Sequence, residues 1–241
     1  MGPHLTESAY DGGNVILDRL AADERQALLP GLTVSPDEEG NVLYARDQPI
    51  ETVHFPIDAV YSVVAELDHG QMYEVDVIGR ASAVGAELAL GAHVAARTVL
   101  CQAAGHVAQL PSTQFMSALD RSRTFLIGVR ESLRRQWFAS QQTVACNFAH
   151  TLEQRTARWI LLTQDQVNRE RFSMRAEFIS IMLGINEREV RGPLNVLAKL
   201  GCIRYEGEQM TVRSRSALED YACECYERQR TAPFITLDRM P

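Results

Sequence analysis

The stretch RAEFISIMLGINEREVRGPLNVLAKLGCIRYEGEQMTVR, residues 175–213, decides the fold of the C-terminal part of this chain. Its apolar spacing predicts a helix over about 175–183 and, after a turn at Gly184, a second helix. The buried positions of the second helix are Val190, Leu194 and Leu197. A small β-hairpin around Gly207 follows. This order of elements is typical of a winged helix-turn-helix, a module that places one helix in the major groove of DNA.

The side chains of the second helix that point away from this core are candidates for base contacts. Arg188 and Arg191 can donate bidentately to guanine O6 and N7, and Glu187 can accept from cytosine N4. Asn186 suits the N-cap of the helix, and the arginines of the hairpin suit phosphate contacts. The predicted DNA-binding set is Arg175, Asn186, Glu187, Arg188, Glu189, Arg191, Arg204 and Arg213.

Pro193 lies inside the predicted second helix. Because proline has no backbone N–H, it removes a hydrogen bond to the carbonyl of Glu189. We therefore expect a kinked or loosened helix, at a cost of about 3 kcal/mol.

Composition separates the two halves of the 241-residue chain. Residues 1–150 carry 10 Lys and Arg against 18 Asp and Glu, whereas residues 151–241 carry 14 against 13, so only the second half is near neutral. No apolar run is long enough to span a bilayer, and five scattered cysteines fit a reduced setting. We expect a cytoplasmic protein without membrane contact whose second half approaches phosphate.

The N-terminal half contains two kinds of sequence pattern. Residues 1–31 resemble a helical lead-in, and short alternating runs punctuated by turn residues occupy about 32–110. Four of these runs predict strands near 42–44, 52–55, 61–65 and 73–78, with a hairpin turn at Asp68-His69-Gly70. Such spacing predicts an antiparallel sandwich or roll, and Ser112 is a candidate N-cap for the helix that follows. The fold class is thus α+β.

A proline-free stretch over about 121–149 predicts one helix roughly 40 Å long. A helix of that length with a narrow, partly polar seam is typical of a dimer interface. The alternative is a helix packed wholly on its own β-domain. The predicted seam is Leu126, Val129, Leu133, Gln136, Ser140, Thr143 and Asn147. The expected domains are a sensing β-roll at 1–120, a dimerisation helix at 121–150 and a DNA-binding domain at 151–241.

The motif resembles the Crp/Fnr superfamily of bacterial transcription regulators. The scaffold positions that match without a gap are Gly184, Ile185, Val190, Leu194, Leu197, Gly201, Cys202 and Ile203. Residues 152–162 and 218–226 also resemble the family. The likeness implies a cyclic-nucleotide-binding-like β-roll and a homodimer on a near-palindromic site in double-stranded DNA, with RNA polymerase as a partner if the protein is an activator. The exposed residues 187–192 depart from the familiar opening Arg-Glu-Thr-Val-x-Arg, so the operator is not carried over.

The resemblance also implies an effector site. In nucleotide-binding members a Gly-Glu-Leu stretch is followed, ten residues after the Glu, by Arg and then Ser or Thr. Here Glu87 is followed by Arg97 and Thr98, but Ala86 separates Gly85 from Glu87. A cyclic nucleotide, another small ligand and no ligand all remain open. An iron–sulfur cluster is disfavoured, because no cysteine precedes Cys101.

Other chemistry has little support. Cys223 and Cys225 are predicted to lie on opposite sides of a helix, where their thiols could not easily ligate one metal ion together. No metal site is therefore expected. No phosphate loop, nucleophile elbow or Cys/His constellation is present. A cupin-like enzyme acting on a small acid therefore rests on fold analogy alone. A protein that keeps the fold as a constitutive DNA binder or an interaction module is the nearer alternative, and a non-enzymatic DNA-binding regulator is the prediction.

Overall fold

The N-terminal half of the structure, a computed structural model that describes residues 10–167 and 169–231, is an antiparallel β-roll. Two helices, α1 (Val15–Asp18) and α2 (Ala22–Leu28), and a 3-10 turn at Leu29–Gly31 precede it. Its strands are β1 (Thr33–Asp37), β2 (Val42–Tyr44), β3 (Thr52–Pro56), β4 (Val60–Glu66), β5 (Met72–Ile78), β6 (Thr98–Ala103) and β7 (Gly105–Pro111). They form one sheet of order β1-β7-β3 and another of order β2-β6-β4-β5, which confirms the predicted roll.

The turn between β4 and β5 is the predicted Asp68-His69-Gly70 hairpin. The N–H of Leu67 donates to the carbonyl of Gln71 at 3.0 Å, and Gly70 has φ +79°. That left-handed conformation is open to glycine at no steric cost, which is why this turn could be placed from sequence.

Three aromatic rings fix the helices that follow onto the roll. The ring centroids of Phe55, Phe115 and Phe125 lie 5.6–6.4 Å apart, and all three side chains are fully buried. Phe115 belongs to α3 (Ser112–Arg121). Ser112 is the first residue of this helix and Pro111 is its N-cap, so the predicted cap is wrong by one position.

The long helix is confirmed as α4 (Arg123–Ala149), and α5 (Leu152–Val167) follows after a break at His150 and Thr151. At its start, Ser122 ends α3 and caps α4 by accepting a hydrogen bond from the N–H of Phe125 at 2.9 Å. Among the described residues, no helix is long and apolar enough to cross a bilayer.

The C-terminal part is a winged helix-turn-helix, as predicted, here called the winged-helix unit (described residues of 152–231). After α5 it contains β8 (Arg171–Ser173), α6 (Ala176–Leu183), a 3-10 turn at Glu187–Glu189, α7 (Arg191–Lys199), β9 (Ile203–Glu206), β10 (Gln209–Val212), α8 (Arg215–Tyr221) and α9 (Cys225–Arg230). The wing is a sheet of order β8-β10-β9. Strand β8 was not predicted, because its polar flank resembles a loop.

The core of this unit contains the expected residues. Val190, Leu194 and Leu197 are at most 2% exposed, and Gly184 ends α6 with φ +66°. The unit also packs against the β-roll, where Phe178 of α6 shares an apolar cluster with residues of β4 and β6. The two halves of the chain are therefore in direct contact.

Candidate nucleic-acid interface

The reading segment, residues 186–191, begins as a 3-10 turn and not as an α-helix. Glu189 turns back onto the start of this turn: its Oε2 accepts from the backbone N–H of Asn186 at 3.0 Å and from its Nδ2 at 3.4 Å. This half of a capping box satisfies a donor that the helix start leaves unpaired. Glu189 is exposed, but its carboxylate is already used locally, so we assign it to the cap and not to base contact.

Pro193 does not disrupt the recognition helix, and the expected kink is wrong. The 3-10 turn precedes α7, so Pro193 is the third residue of the α-helix. At that position an α-helix leaves its N–H without an intrahelical acceptor, so proline loses no bond there. The ring is also buried, which means that Pro193 contributes to the core.

The remaining reading residues are exposed. Glu187, Arg188 and Arg191 line an open groove whose opposite side is formed by Tyr205 and Glu208 of the wing. Guanidinium groups at the start of a recognition helix are placed to reach base edges when that helix enters the major groove. The structure thus brings the central members of the predicted set together on one surface.

The two wing arginines differ in their surroundings. Arg204 Nε lies 2.7 Å from Glu206 Oε1, and both side chains are exposed. Arg213 directly follows β10 and is exposed, and its backbone N–H donates to the carbonyl of Cys202 at 2.9 Å. Both arginines remain candidates for phosphate contact, although Arg204 shares its charge with a neighbouring carboxylate.

Arg175 lies at the edge of the groove but is held by the β-roll. Its Nε is 3.2 Å from Oε1 of Glu39, whose Oε2 accepts from Ser173 Oγ at 2.7 Å. The guanidinium also lies 4.6 Å from the ring centroid of Phe178. Sequence reasoning missed Glu39, because this contact joins residues 136 positions apart.

The first half of the predicted dimer seam packs against the molecule's own β-roll. Val129 is fully buried, and Leu126 and Leu133 pack against the core of the β-roll. Gln136 Nε2 donates to the carbonyl of Ala83 at 3.2 Å. Val129 is therefore not available to an intermolecular surface, whereas Leu126, Leu133 and Gln136 pack on the roll but are only half-buried.

Farther along α4 the seam is less enclosed. Thr143 Oγ1 accepts from Arg158 Nη2 at 3.4 Å, Ser140 is half-buried and Asn147 is exposed. The apolar residues that do reach solvent are on the neighbouring stripe: Trp137 is 65% exposed, Val144 59% and Phe148 91%. We call these three residues the outer stripe. A single-sequence pattern identified the helix but not which face the roll would cover.

The predicted effector residues Glu87, Arg97 and Thr98 each have different local contacts. Glu87 lies in a 3-10 turn (Ala86–Leu90) close enough to Tyr44 to raise the pKa of that buried phenol, after burial itself. Arg97 is exposed and its Nη1 donates to the carbonyl of Ala96 at 2.9 Å. Thr98 Oγ1 accepts a backbone hydrogen bond. The structure therefore neither pairs Glu87 with Arg97 in the described residues nor tests them as a ligand site, and their effector role stays a prediction.

A cavity of about 130 Å³ lies between β5, α4 and α5. Its walls carry Glu74 and Asp76 of β5 together with Arg135 and Arg158 of the two helices. Burial raises the pKa of Glu74 to about 8, despite a hydrogen bond from Ser62 Oγ at 2.7 Å, and raises that of Asp76 well above its ordinary range. The alternating pattern that predicted β5 did not predict that Glu74 and Asp76 would be covered by α4 and α5.

Four side chains of types that can ligate a metal also lie together, although the sequence predicted no such cluster. Cys146, His150, Cys223 and Cys225 place one ligand atom each within 4.8 Å of one another. Cys223 lies two residues before α9, whereas Cys225 is the first residue of that helix, so the two are not on opposite helix faces. The contact with Cys146 Sγ, at 3.5 Å, lowers the pKa of the Cys223 thiol.

Comparison with known proteins shows which solved structures share this fold. No family model and no curated protein sequence matches the chain. Among solved structures, FixK2 from Bradyrhizobium japonicum is 15% identical with a TM-score of 0.68, over 80% of this chain and 98% of that one. A CRP-family transcriptional regulator from Thermus thermophilus is 19% identical with a TM-score of 0.65, over 78% and 96%.

A third structure, the c-di-GMP-responsive global regulator CLP from Xanthomonas campestris, is 12% identical with a TM-score of 0.64, over 80% of this chain and 100% of that one. Identities this low show a shared fold. The resemblance inferred from sequence is confirmed at that level: the chain has the fold of Crp/Fnr transcription regulators.

Proposed function

We propose that this chain is a sequence-specific DNA-binding transcription regulator of the Crp/Fnr type. The observation that carries the proposal is the exposed groove in which Arg188 and Arg191, at the start of α7, face the wing. Arginine in this position is the commonest donor to guanine in the major groove. The fold shared with known regulators supports it.

We infer that the regulator is a homodimer paired through α4. The outer stripe of Trp137, Val144 and Phe148 is an apolar surface on a helix of 27 residues. A second copy of this stripe would remove it from water. A two-fold pair of reading segments suits half-sites about 34 Å apart, and so a near-palindromic operator. If the protein is an activator, RNA polymerase is a further partner.

We infer that the contact between the β-roll and α6 carries the switch. Glu39 holds Arg175 at the edge of the groove, and Phe178 packs on the roll. A signal that moves the roll would break these contacts and shift the population of winged-helix orientations. A constitutive DNA binder with the same contacts is the alternative.

The test is selection of duplexes from a random library by the wild-type chain and by Arg188→Ala and Arg191→Ala. Each variant should lose preference at one position of each half-site, about fivefold to 150-fold in affinity, since a bidentate pair contributes about 1–3 kcal/mol. Arg121→Ala, an exposed arginine of α3, is the matched control. The assignment is wrong if both reading variants select the wild-type sequence with unchanged affinity.

The dimer is tested by sedimentation. Phe148→Asp places a charge on a side chain that is 91% exposed, and it should convert dimer to monomer without altering the circular dichroism of the fold. Met116→Asp makes the same change on an exposed residue of α3, 40% exposed, and should leave the dimer intact. A Phe148→Asp chain that sediments as the wild type would contradict the outer stripe as the interface.

A further inference from the structure

We propose that Cys146, His150, Cys223 and Cys225 form a tetrahedral site for a single thiophilic metal ion. Zinc(II) is the ion that fits this ligand set. The three thiols are at most 4% exposed, and the four ligand atoms lie within 4.8 Å of one another. Three cysteines and one histidine are a common ligand set of structural zinc sites.

The separations match one ion at the centre. Zn–S bonds of about 2.3 Å in a regular tetrahedron place neighbouring sulfurs roughly 3.8 Å apart. Here the Cys146 and Cys223 sulfurs are 3.5 Å apart, and Cys225 Sγ is 3.7 Å from His150 Nδ1. Small adjustments of these side chains would complete the coordination. Because all four positions are filled by protein, the site is of the closed, structural kind.

The surroundings support the ligands in the way that metal sites require. His150 Nε2 lies 3.0 Å from Glu224 Oε2, so the carboxylate orients the ring and leaves Nδ1 toward the sulfurs. Gln142 Nε2 donates to Cys225 Sγ at 3.0 Å. A hydrogen bond of this kind stabilises a thiolate, the form in which cysteine binds metal.

Charge is also compensated. Binding zinc(II) displaces the three thiol protons to solvent and leaves a complex of net charge −1. The guanidinium groups of Arg155 and Arg158 are near enough to interact electrostatically with the thiols of Cys146 and Cys223. Arg158 is itself only 6% exposed, so its charge is little screened by solvent.

The position of the site gives it a mechanical role. Cys146 lies in the last turn of α4 and His150 is the C-cap of that helix, whereas Cys223 and Cys225 flank the start of α9. The ion would therefore join α4 to the end of the winged-helix unit across the break between α4 and α5. Resting on the proposed function, we infer that the metal fixes the orientation of the winged-helix unit relative to α4.

The experiment uses the full chain, reduced and free of oxygen. Zinc is measured by mass spectrometry, and cobalt(II) is then titrated into the metal-free protein. We expect one equivalent of zinc, and a cobalt spectrum with thiolate charge-transfer bands and the intense visible bands of a tetrahedral ion. Cys223→Ala should lose both signals. Cys225→His, which exchanges one ligand for another, should keep a shifted cobalt spectrum.

Cys202→Ala is the matched control, since Cys202 is buried in the winged-helix unit, 1% exposed, and lies outside the cluster. It should bind metal as the wild type does. The proposal is overturned by a reduced wild-type chain that binds no stoichiometric metal, or by a chain in which Cys146 and Cys223 remain joined as a disulfide despite the reductant. Equal loss in Cys202→Ala and Cys223→Ala would also overturn it. Because the readout is metal alone, it is independent of whether the chain binds DNA.

Discussion

The β-roll and the reading segment differ in how far their polar side chains are exposed to solvent. In the roll, Asp37 is 8% exposed and accepts from Tyr61 Oη at 2.8 Å, and Gln102, 3% exposed, donates to Thr163 Oγ1 at 3.1 Å. Residues 186–189 and 191 of the reading segment are all exposed. Buried polar groups are costly unless paired, whereas exposed ones cost little. Substitutions in the roll should therefore change stability, and those in the reading segment should change binding.

The largest effect that follows is on the aromatic core. Phe125→Ala should reduce the free energy of unfolding by about 3–5 kcal/mol, since it leaves a cavity between Phe55 and Phe115. Urea denaturation measures it. Leu90→Ala, at a side chain 74% exposed, is the control and should cost far less. Similar losses in the two variants would contradict the difference between enclosed and exposed positions.

The second prediction concerns pH. Burial raises the pKa of Glu74 to about 8 from 4.5, so between these values the folded chain holds a proton that the unfolded chain has released. Stability from the neutral acid is complete below pH 4.5 and is lost as the pH rises through about 8. Glu74→Gln should match the wild type near pH 4.5 and be more stable near pH 9.

Urea denaturation across this range measures the effect, with Glu66→Gln, on the exposed end of β4, as control. Asp76, whose pKa is raised in the same direction, and Arg158 face the same cavity and remain in the variant. The free energy of unfolding of Glu74→Gln should therefore fall with pH less steeply than that of the wild type, but it should still fall. If the free energy of unfolding depends on pH in the same way in Glu74→Gln and in the wild type, Glu74 is not the cause of the pH dependence.

The third prediction tests the contact between the two regions. Glu39→Gln releases the side chain of Arg175 from the roll, and DNA affinity should rise, by up to about fivefold given that partly exposed ion pairs contribute about 0–1 kcal/mol. Fluorescence anisotropy with the selected duplex measures it. Glu38→Gln, the neighbouring residue, is the matched control. Unchanged or lower affinity in Glu39→Gln would mean that the ion pair does not restrain the groove.

The smallest effect is expected at Pro193. Since it occupies the first turn of α7, Pro193→Ala should change the free energy of unfolding by less than about 1 kcal/mol, in contrast to the gain of about 3 kcal/mol expected if proline broke a helix interior. Thermal and urea unfolding measure it. If Pro193→Ala stabilises the fold by about 3 kcal/mol, then Pro193 costs a helical hydrogen bond in spite of the 3-10 turn before it.

These contrasts explain what the sequence could and could not predict. Local patterns located the β4–β5 hairpin, the length of α4 and the core of α7, because each depends on neighbouring residues. The Cys146–Cys223 contact, the Glu39–Arg175 ion pair and the covered face of α4 depend on residues far apart in the chain. Pro193 was misjudged for a related reason: the pattern of buried residues does not distinguish a 3-10 turn followed by a helix from one continuous helix.

The ion pair between Arg204 and Glu206 has a consequence for how the protein would search DNA. Binding to phosphates releases condensed cations, and the salt dependence of affinity grows with the number of phosphates neutralised. A wing arginine that already shares its charge with a carboxylate displaces fewer cations than an unpaired one. We therefore expect Arg204 to contribute less than Arg213 to the salt dependence of DNA affinity. Replacing Arg213 would then weaken nonspecific attachment to DNA more than replacing Arg204, whose charge is already shared within the wing.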